Sequence, residues 1–283
     1  MTGETDTTVL KLGGELLAEP DGRRDIATAM YRLASRSLLV VVHGGGREVD
    51  AEMTAKGIPR RAVDGLRVTD AATLDVVVEV LAGRVNTRLV AAARVAGVPA
   101  VGLTAADSGV STLRRAEPYT AADGTLVDLG FVGQPTGVDR PVLLDRLCEA
   151  GLVPIVASIG ADRSGQLLNV NADTLAGHLA ARLGAARLLI AGGTAGVLDQ
   201  QGRTIPSMDL DMMHRFIADG RASAGMVAKL IACREAHRAG VGRVDIVTGT
   251  HTDDLDVSAG TTIRQVGERS APVARSPSAR GPG

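Results

Sequence analysis

Two lysines, an aspartate, an arginine and several glycine pairs are the groups with which this sequence could handle an anion. Lys11 lies in "TVLKLGG", an apolar run that ends in Gly13 and Gly14, and "LLVVVHGGG" ends the same way in Gly44 and Gly45. Glycines between a strand and a helix let an anion approach backbone N–H groups closely. The plainer use of the same residues is a turn. A lone strand lysine is ordinarily a solvated edge residue; with Gly-Gly directly after it, a phosphate partner is the competing use of Lys11. Lys229, in "SAGMVAKLIACREA", falls in the first turns of a helix that Gly225 opens. A cation there opposes the helix dipole by roughly 0.3–1 kcal/mol, which a bound anion or a neighbouring carboxylate would offset. The bland alternative is a surface lysine.

In "NVNADTLAGHLAARLG", Asn169, Asn171 and Asp173 precede a stripe of Leu175, Leu179 and Leu183. Asp173 serves either as a helix cap or as a carboxylate presented to a site, and the two asparagines as amide donors. Arg67, in "GLRVTD", stands just before a helix cap at Asp70, where an arginine either clamps a carboxylate bidentately or makes a surface ion pair. Together these groups suit a substrate with a carboxylate and a phosphoryl group in transfer. No serine, cysteine or histidine nucleophile is indicated.

The elements that must position them alternate between strand and helix. Strands are expected at "TVLKL", Leu38 to Val42, Ala100 to Leu103, "VPIVASIG", "RLLIAGG" and "RVDIVT". Helices are expected at Ile26 to Ala34, Arg47 to Lys56, from Asp70 onward, and over 141–150, 173–183, 209–219 and 225–239. Residues 111–139 break the alternation, with Asp123-Gly124 between short β-like runs, and read as an insertion at a sheet edge carrying a hairpin. From Gln265 the chain is rich in Ser, Pro, Ala, Gly and Arg and reads as a disordered tail.

Composition excludes several classes. With 31 basic against 32 acidic residues, the formal charge of -1 supplies no field to hold a polyanion. Two Phe, two Tyr and no Trp leave no stacking platform, so nucleic acid is not expected as a partner. Cys148 and Cys233 lack any CxxC context and read as buried thiols, and the five scattered histidines argue against a zinc site. No basic and apolar leader opens the chain and no apolar run reaches ~18 residues, so a cytoplasmic protein without membrane contact is expected.

From about Thr8 to Ile263 the sequence resembles the acetylglutamate kinases of the amino acid kinase superfamily. "KLGG", "VVHGGG", "GLRVTD", "LDVVVEVLAGRVN", "AVGL", "GQLLNVNADTLAG", "GVLD" and "GMVAK" occur in the family's order. The resemblance implies an α/β fold, an open and mainly parallel sheet sandwiched by helices, in two lobes. Residues 1–165 would bind the amino acid and dimerise, 166–264 would bind nucleotide, and 265–283 would form the tail. It implies transfer of the ATP γ-phosphoryl group, with Mg²⁺ carried by ATP, to the side-chain carboxylate of N-acetyl-L-glutamate. Lys11 and Lys229 would neutralise the moving charge and Asp173 would orient both. Gly13, Gly14, Gly192, Gly193 and Gly225 would lie along the ATP phosphates, with Gly44 and Gly45 at the reacting carboxylate. Arg67, Asn169 and Asn171 would hold the rest of the amino acid.

Two positions depart from the family pattern: Gly192-Gly193 replace Ser/Thr-Asp before "TAGVLD", and Ala224 precedes "GMVAK". About seven residues precede the first strand, where the arginine-inhibited hexamers of the family carry an extra helix, so the resemblance implies a homodimer insensitive to arginine. The rival readings are a kinase for α-aminoadipate or carrier-linked glutamate, and a ligand-binding regulator that has lost the chemistry.

Overall fold

Thr7–Leu12, Leu38–His43, Val153–Ala157 and Arg187–Gly192 are near-continuous Val, Leu and Ile runs, the pattern of strands covered on both faces. The computed structural model describes residues 6–121, 124–137, 140–250, 255 and 260–264. It joins these strands in one eight-stranded sheet. From one edge the order is Ser207–Asp209, Thr261–Arg264, Arg243–Thr248, Arg187–Gly192, Thr7–Leu12, Leu38–His43, Val153–Ala157 and Ala100–Thr104. The pairing is parallel except where Thr261–Arg264 runs against Arg243–Thr248. The first four of these strands in chain order lie together, the last four lie together, and the seam is the pairing of Thr7–Leu12 with Arg187–Gly192.

Alternation along each strand divides the core into two layers. Val9, Val40, Val42, Leu188 and Ile190 pack against the helices Ala172–Leu183 and Ala224–Arg238. Leu10, Leu12, Val41 and Leu189 face Pro20–Ala34 and Ala71–Val78 on the other side. Both cysteines are buried and free, as expected. No helix of the described residues is long and apolar enough to cross a membrane.

Several boundaries and one placement differ from expectation. The helix expected from Ile26 begins at Pro20, a proline suited to a first turn that needs no N–H. Asp70 caps its helix as expected, accepting from Thr73 N at 2.8 Å, but the helix continues through a π-helical stretch, Glu79–Val85, into Asn86–Val95. The run "VPIVASIG" breaks at Ser158 into two strands, the second of which, Ile159–Ala161, leaves the main sheet. The 111–139 region is not an edge of that sheet. It contributes Leu113–Arg115 and Val132–Pro135 to a separate four-stranded sheet with Ile159–Ala161 and Leu167–Val170. Its hairpin pairs Tyr119–Thr120 with Leu126–Val127, and the Asp123 of its turn lies outside the described residues. The expected tail also lies outside them.

Behind the "HGGG" turn, His43 is fully buried and held at both ring nitrogens. Asn86 Nδ2 donates to Nε2 at 3.0 Å and to the Ile155 carbonyl at 2.9 Å, so Nδ1–H donates to the Gly44 carbonyl at 2.9 Å. Burial pulls the His43 pKa down from 6.5 to about 4, with the Gly44 bond opposing the shift. His178 is likewise lowered to about 4, by burial and then by Arg182. A base with a depressed folded pKa favours the fold above its unfolded pKa and loses that contribution as pH falls through the folded one. Stability should therefore decline from pH 6.5 toward 4, by about 3 kcal/mol from His43 alone. Denaturant titrations across this window should show a shallower pH slope for His43→Gln than for the wild type.

Candidate active site

Three glycine turns stand side by side at the carboxyl ends of three adjacent parallel strands, where such sheets collect ligands. Gly13 and Gly14 follow Thr7–Leu12, Gly44 and Gly45 follow Leu38–His43, and Gly192 and Gly193 close Arg187–Gly192. Not all their N–H groups are available. Gly13 N–H donates to the Ala191 carbonyl at 3.0 Å and Gly44 N–H to the Leu12 carbonyl at 3.2 Å, extending the sheet. No described residue accepts from the N–H groups of Gly14, Gly45 or Gly46, the last of which opens the helix Gly46–Ala55. The two turns meet backbone to backbone: a Cβ on Gly14 would lie 2.7 Å from Gly45 Cα and 3.0 Å from Gly46 N. One on Gly45 would lie 2.6 Å from Leu81 Cδ2 and 3.2 Å from Val85 Cγ2, both on the π-helical stretch.

Lys11 shares the strand face of Val9 and so points to the layer containing Ala172–Leu183. Its ammonium lies 2.9 Å from Asp173 Oδ1, and both side chains are less than a tenth exposed. The geometry is that of a charge contact, since Oδ1 has no aligned hydrogen bond. Asn171, not Asp173, caps the helix, accepting from the N–H groups of Asp173 and Thr174 at 2.9 and 3.1 Å. The cap thus leaves the Asp173 carboxylate to Lys11.

Lys229 comes from Ala224–Arg238, whose cap is Ser223, and its Cε approaches to 3.5 Å of a Cβ position on Gly192. Gly177 permits this approach of the two helices, because a Cβ there would stand 3.1 Å from the Ala232 carbonyl oxygen. One turn beyond Lys229, the buried Cys233 thiol is pushed up, first by burial and then by the Asp173 charge, with Lys229 and Lys11 opposing. Lys11 and Asp173 are thus in contact, while Lys229 approaches the third glycine turn without pairing to Asp173. No described residue forms an ion pair or hydrogen bond with Lys229.

A cavity of about 300 Å³ opens over the turns and includes Lys11, Gly13, Gly14, Gly44, Gly45 and Asp173. Arg67, Asn169 and Asn171 complete its far wall. Arg67 is paired with Asp50 and also donates to the Gly46 carbonyl at 3.3 Å, so its guanidinium is already engaged. Asn169 Nδ2 donates to Thr69 Oγ1 at 3.1 Å. Gly225 is exposed in the first turn of its helix and does not line this cavity; neither do Lys229, Gly192 and Gly193.

Two side chains at the site carried no sequence expectation. Asp50 sits one helical turn beyond Gly46, a spacing that points it back toward the turn. Glu15 follows Gly14 directly and accepts from Gly193 N–H at 2.9 Å, joining the first and third turns. An acidic residue immediately after a glycine pair was the available signal.

A model of the amino acid kinase family matches residues 6–248. The chain belongs to the amino acid kinase family. Within that family its similarity extends to acetylglutamate kinases. It is 39% identical over 274 residues to acetylglutamate kinase of Novosphingobium aromaticivorans, covering 91% of this chain and 90% of that one. It is 37% identical over 267 residues to the chloroplastic acetylglutamate kinase of Arabidopsis thaliana, covering 91% and 75%. Among solved structures, smu.665 from Streptococcus mutans superposes with a TM-score of 0.77 at 29% identity, over 91% of this chain and 98% of that one. The carbamate kinase of Giardia lamblia bound to AMP-PNP, at 16% identity and a TM-score of 0.65 over 94% and 100%, shares the fold.

The two tight glycines should respond differently. Gly14→Ala drives a methyl into backbone that cannot move independently, and should cost about 1–3 kcal/mol with near-complete loss of turnover. Gly45→Ala meets side-chain methyls on Leu81 and Val85 and should retain more of both. Thermal melts and initial rates on the two variants check the order.

Proposed function

We propose that this chain transfers the γ-phosphoryl group of ATP to the side-chain carboxylate of N-acetyl-L-glutamate, the acyl-phosphate-forming step of arginine biosynthesis. The observation that carries the reading is the buried Lys11–Asp173 pair beside the glycine turns, with Lys229 approaching the third turn at Gly192. The 37–41% identity to acetylglutamate kinases across most of the chain supports the choice of acceptor.

A carboxylate oxygen of the acceptor attacks Pγ, the bond from Pγ to the bridging oxygen breaks, and ADP leaves with that electron pair. The acceptor is already ionised, so no general base is required. Negative charge builds on the transferring oxygens, and preorganised cations and N–H groups are the effective means of stabilising it. Lys11 lines one cavity with Gly14, Gly45 and Gly46, where phosphoryl group and acceptor would meet, and Lys229 lies beside Gly192 at the donor end. Arg67 and Asn169 hold the acceptor's remaining polar groups, Arg67 by exchanging Asp50 for the α-carboxylate. Asn171 acts through the helix cap that positions Asp173.

Mg²⁺ enters with the nucleotide. It would supply charge neutralisation at the β- and γ-phosphates.

Lys229 is the informative residue to remove because no described partner depends on it. With MgATP, N-acetyl-L-glutamate and hydroxylamine, the wild type should form the hydroxamate, and Lys229→Ala should lower kcat by roughly 10²–10³-fold with its melting temperature unchanged. Hydroxamate formed instead from free glutamate or α-aminoadipate would move the assignment to another acceptor. Binding of N-acetyl-L-glutamate with no ADP release would reduce the protein to a sensor.

A further inference from the structure

Glu15 is half-buried at the nucleotide end and has no part in the chemistry above, yet its carboxylate is held in place. Oε1 accepts from Gly193 N–H at 2.9 Å. The same oxygen lies 3.2 Å from a Cβ position on Gly192, the point that Lys229 Cε approaches to 3.5 Å. Cβ positions on Gly13 and Gly193 would come to 2.5 Å from the carboxylate oxygens and 3.3 Å from Glu15 Cγ respectively. Three glycines therefore form a slot that one carboxylate fills, with a backbone donor at its end and a lysine at its side.

That environment also suits a phosphate oxygen. A backbone N–H binds carboxylate and phosphate by the same charge-assisted hydrogen bonds, and one N–H serves one such anion well. A triphosphate drawn to Lys229 and the Gly193 turn would meet a negative charge already seated there. Glu48 adds to the crowding: both its carboxylate oxygens are buried without a hydrogen-bond partner, and its pKa is raised by burial first, with the Glu15 charge contributing.

We propose that Glu15 occupies a phosphate position of the nucleotide subsite and that nucleotide binds by displacing it, so that Glu15 sets the affinity for polyphosphate. The inference rests on reading Gly192, Gly193 and Lys229 as the donor end. Calorimetry on the full chain with MgADP and with Mg-AMP-PNP, comparing wild type with Glu15→Gln and Glu15→Ala, separates the two. Both variants should bind nucleotide about tenfold more tightly, as removal of a competing charged hydrogen bond predicts. Adenosine and N-acetyl-L-glutamate should bind as they do to the wild type. Nucleotide affinity unchanged or weakened in both variants, with the wild type binding normally, would overturn the displacement role while leaving the donor-end reading intact. No nucleotide binding by any of the three proteins would overturn both.

Discussion

The contact between Lys11 and Asp173 is the constraint around which the rest is arranged. Removing two charges from water costs several kcal/mol per ion, so a pair this buried requires close geometry and further polar support. Strand alternation places Lys11 on the face toward Ala172–Leu183, and the Asn171 cap starts that helix where the second residue meets the ammonium. The positive end of the helix then adds to the stabilisation of Asp173. Because a buried pair is weak evidence for stability, its position at the carboxyl end of a central strand is better explained by what it holds ready.

Glycine is needed here for two different reasons. At Gly14 the requirement is backbone apposition, which brings the N–H groups of two turns together and leaves no room for a methyl, whereas a methyl on Gly45 would meet the side chains of Leu81 and Val85. At Gly13, Gly192 and Gly193 the glycines leave room that a side chain, Glu15, enters. The first arrangement builds a fixed surface and the second an exchangeable one. His43 supports the fixed surface from behind as a neutral ring, since burial holds it uncharged and Asn86 fixes its orientation.

Much of the site was legible because its residues lie at strand ends, and strand ends are where continuous apolar runs stop. Lys11 and the glycine turns could be placed from that rule alone, and Asp70 as a cap from the helical spacing that follows it. The exchange of roles between Asn171 and Asp173 was not legible, since either side chain caps a helix and only the position of Lys11 decides between them. The engagement of Arg67 by Asp50, the seat of Glu15 on Gly193 and the small sheet carrying Asn169 all depend on contacts between distant segments. The π-helical stretch was equally hidden, because its residues have the periodicity of the α-helices on either side.

The two lysines are not equivalent, and the difference follows from their surroundings. Lys11 is fixed in a strand with a buried counter-charge, so its charge is largely balanced and its position is set before any ligand arrives. Lys229 is half-buried at the edge of a helix, with no described counter-ion and four rotatable bonds. In the proposed reaction Lys11 would define the point of transfer and Lys229 would follow the charge as it shifts. Pairing both lysines equally to Asp173 would fix both and leave the departing charge on ADP unattended. An aspartate held against Lys11 while Lys229 stays uncommitted satisfies both demands with a single carboxylate.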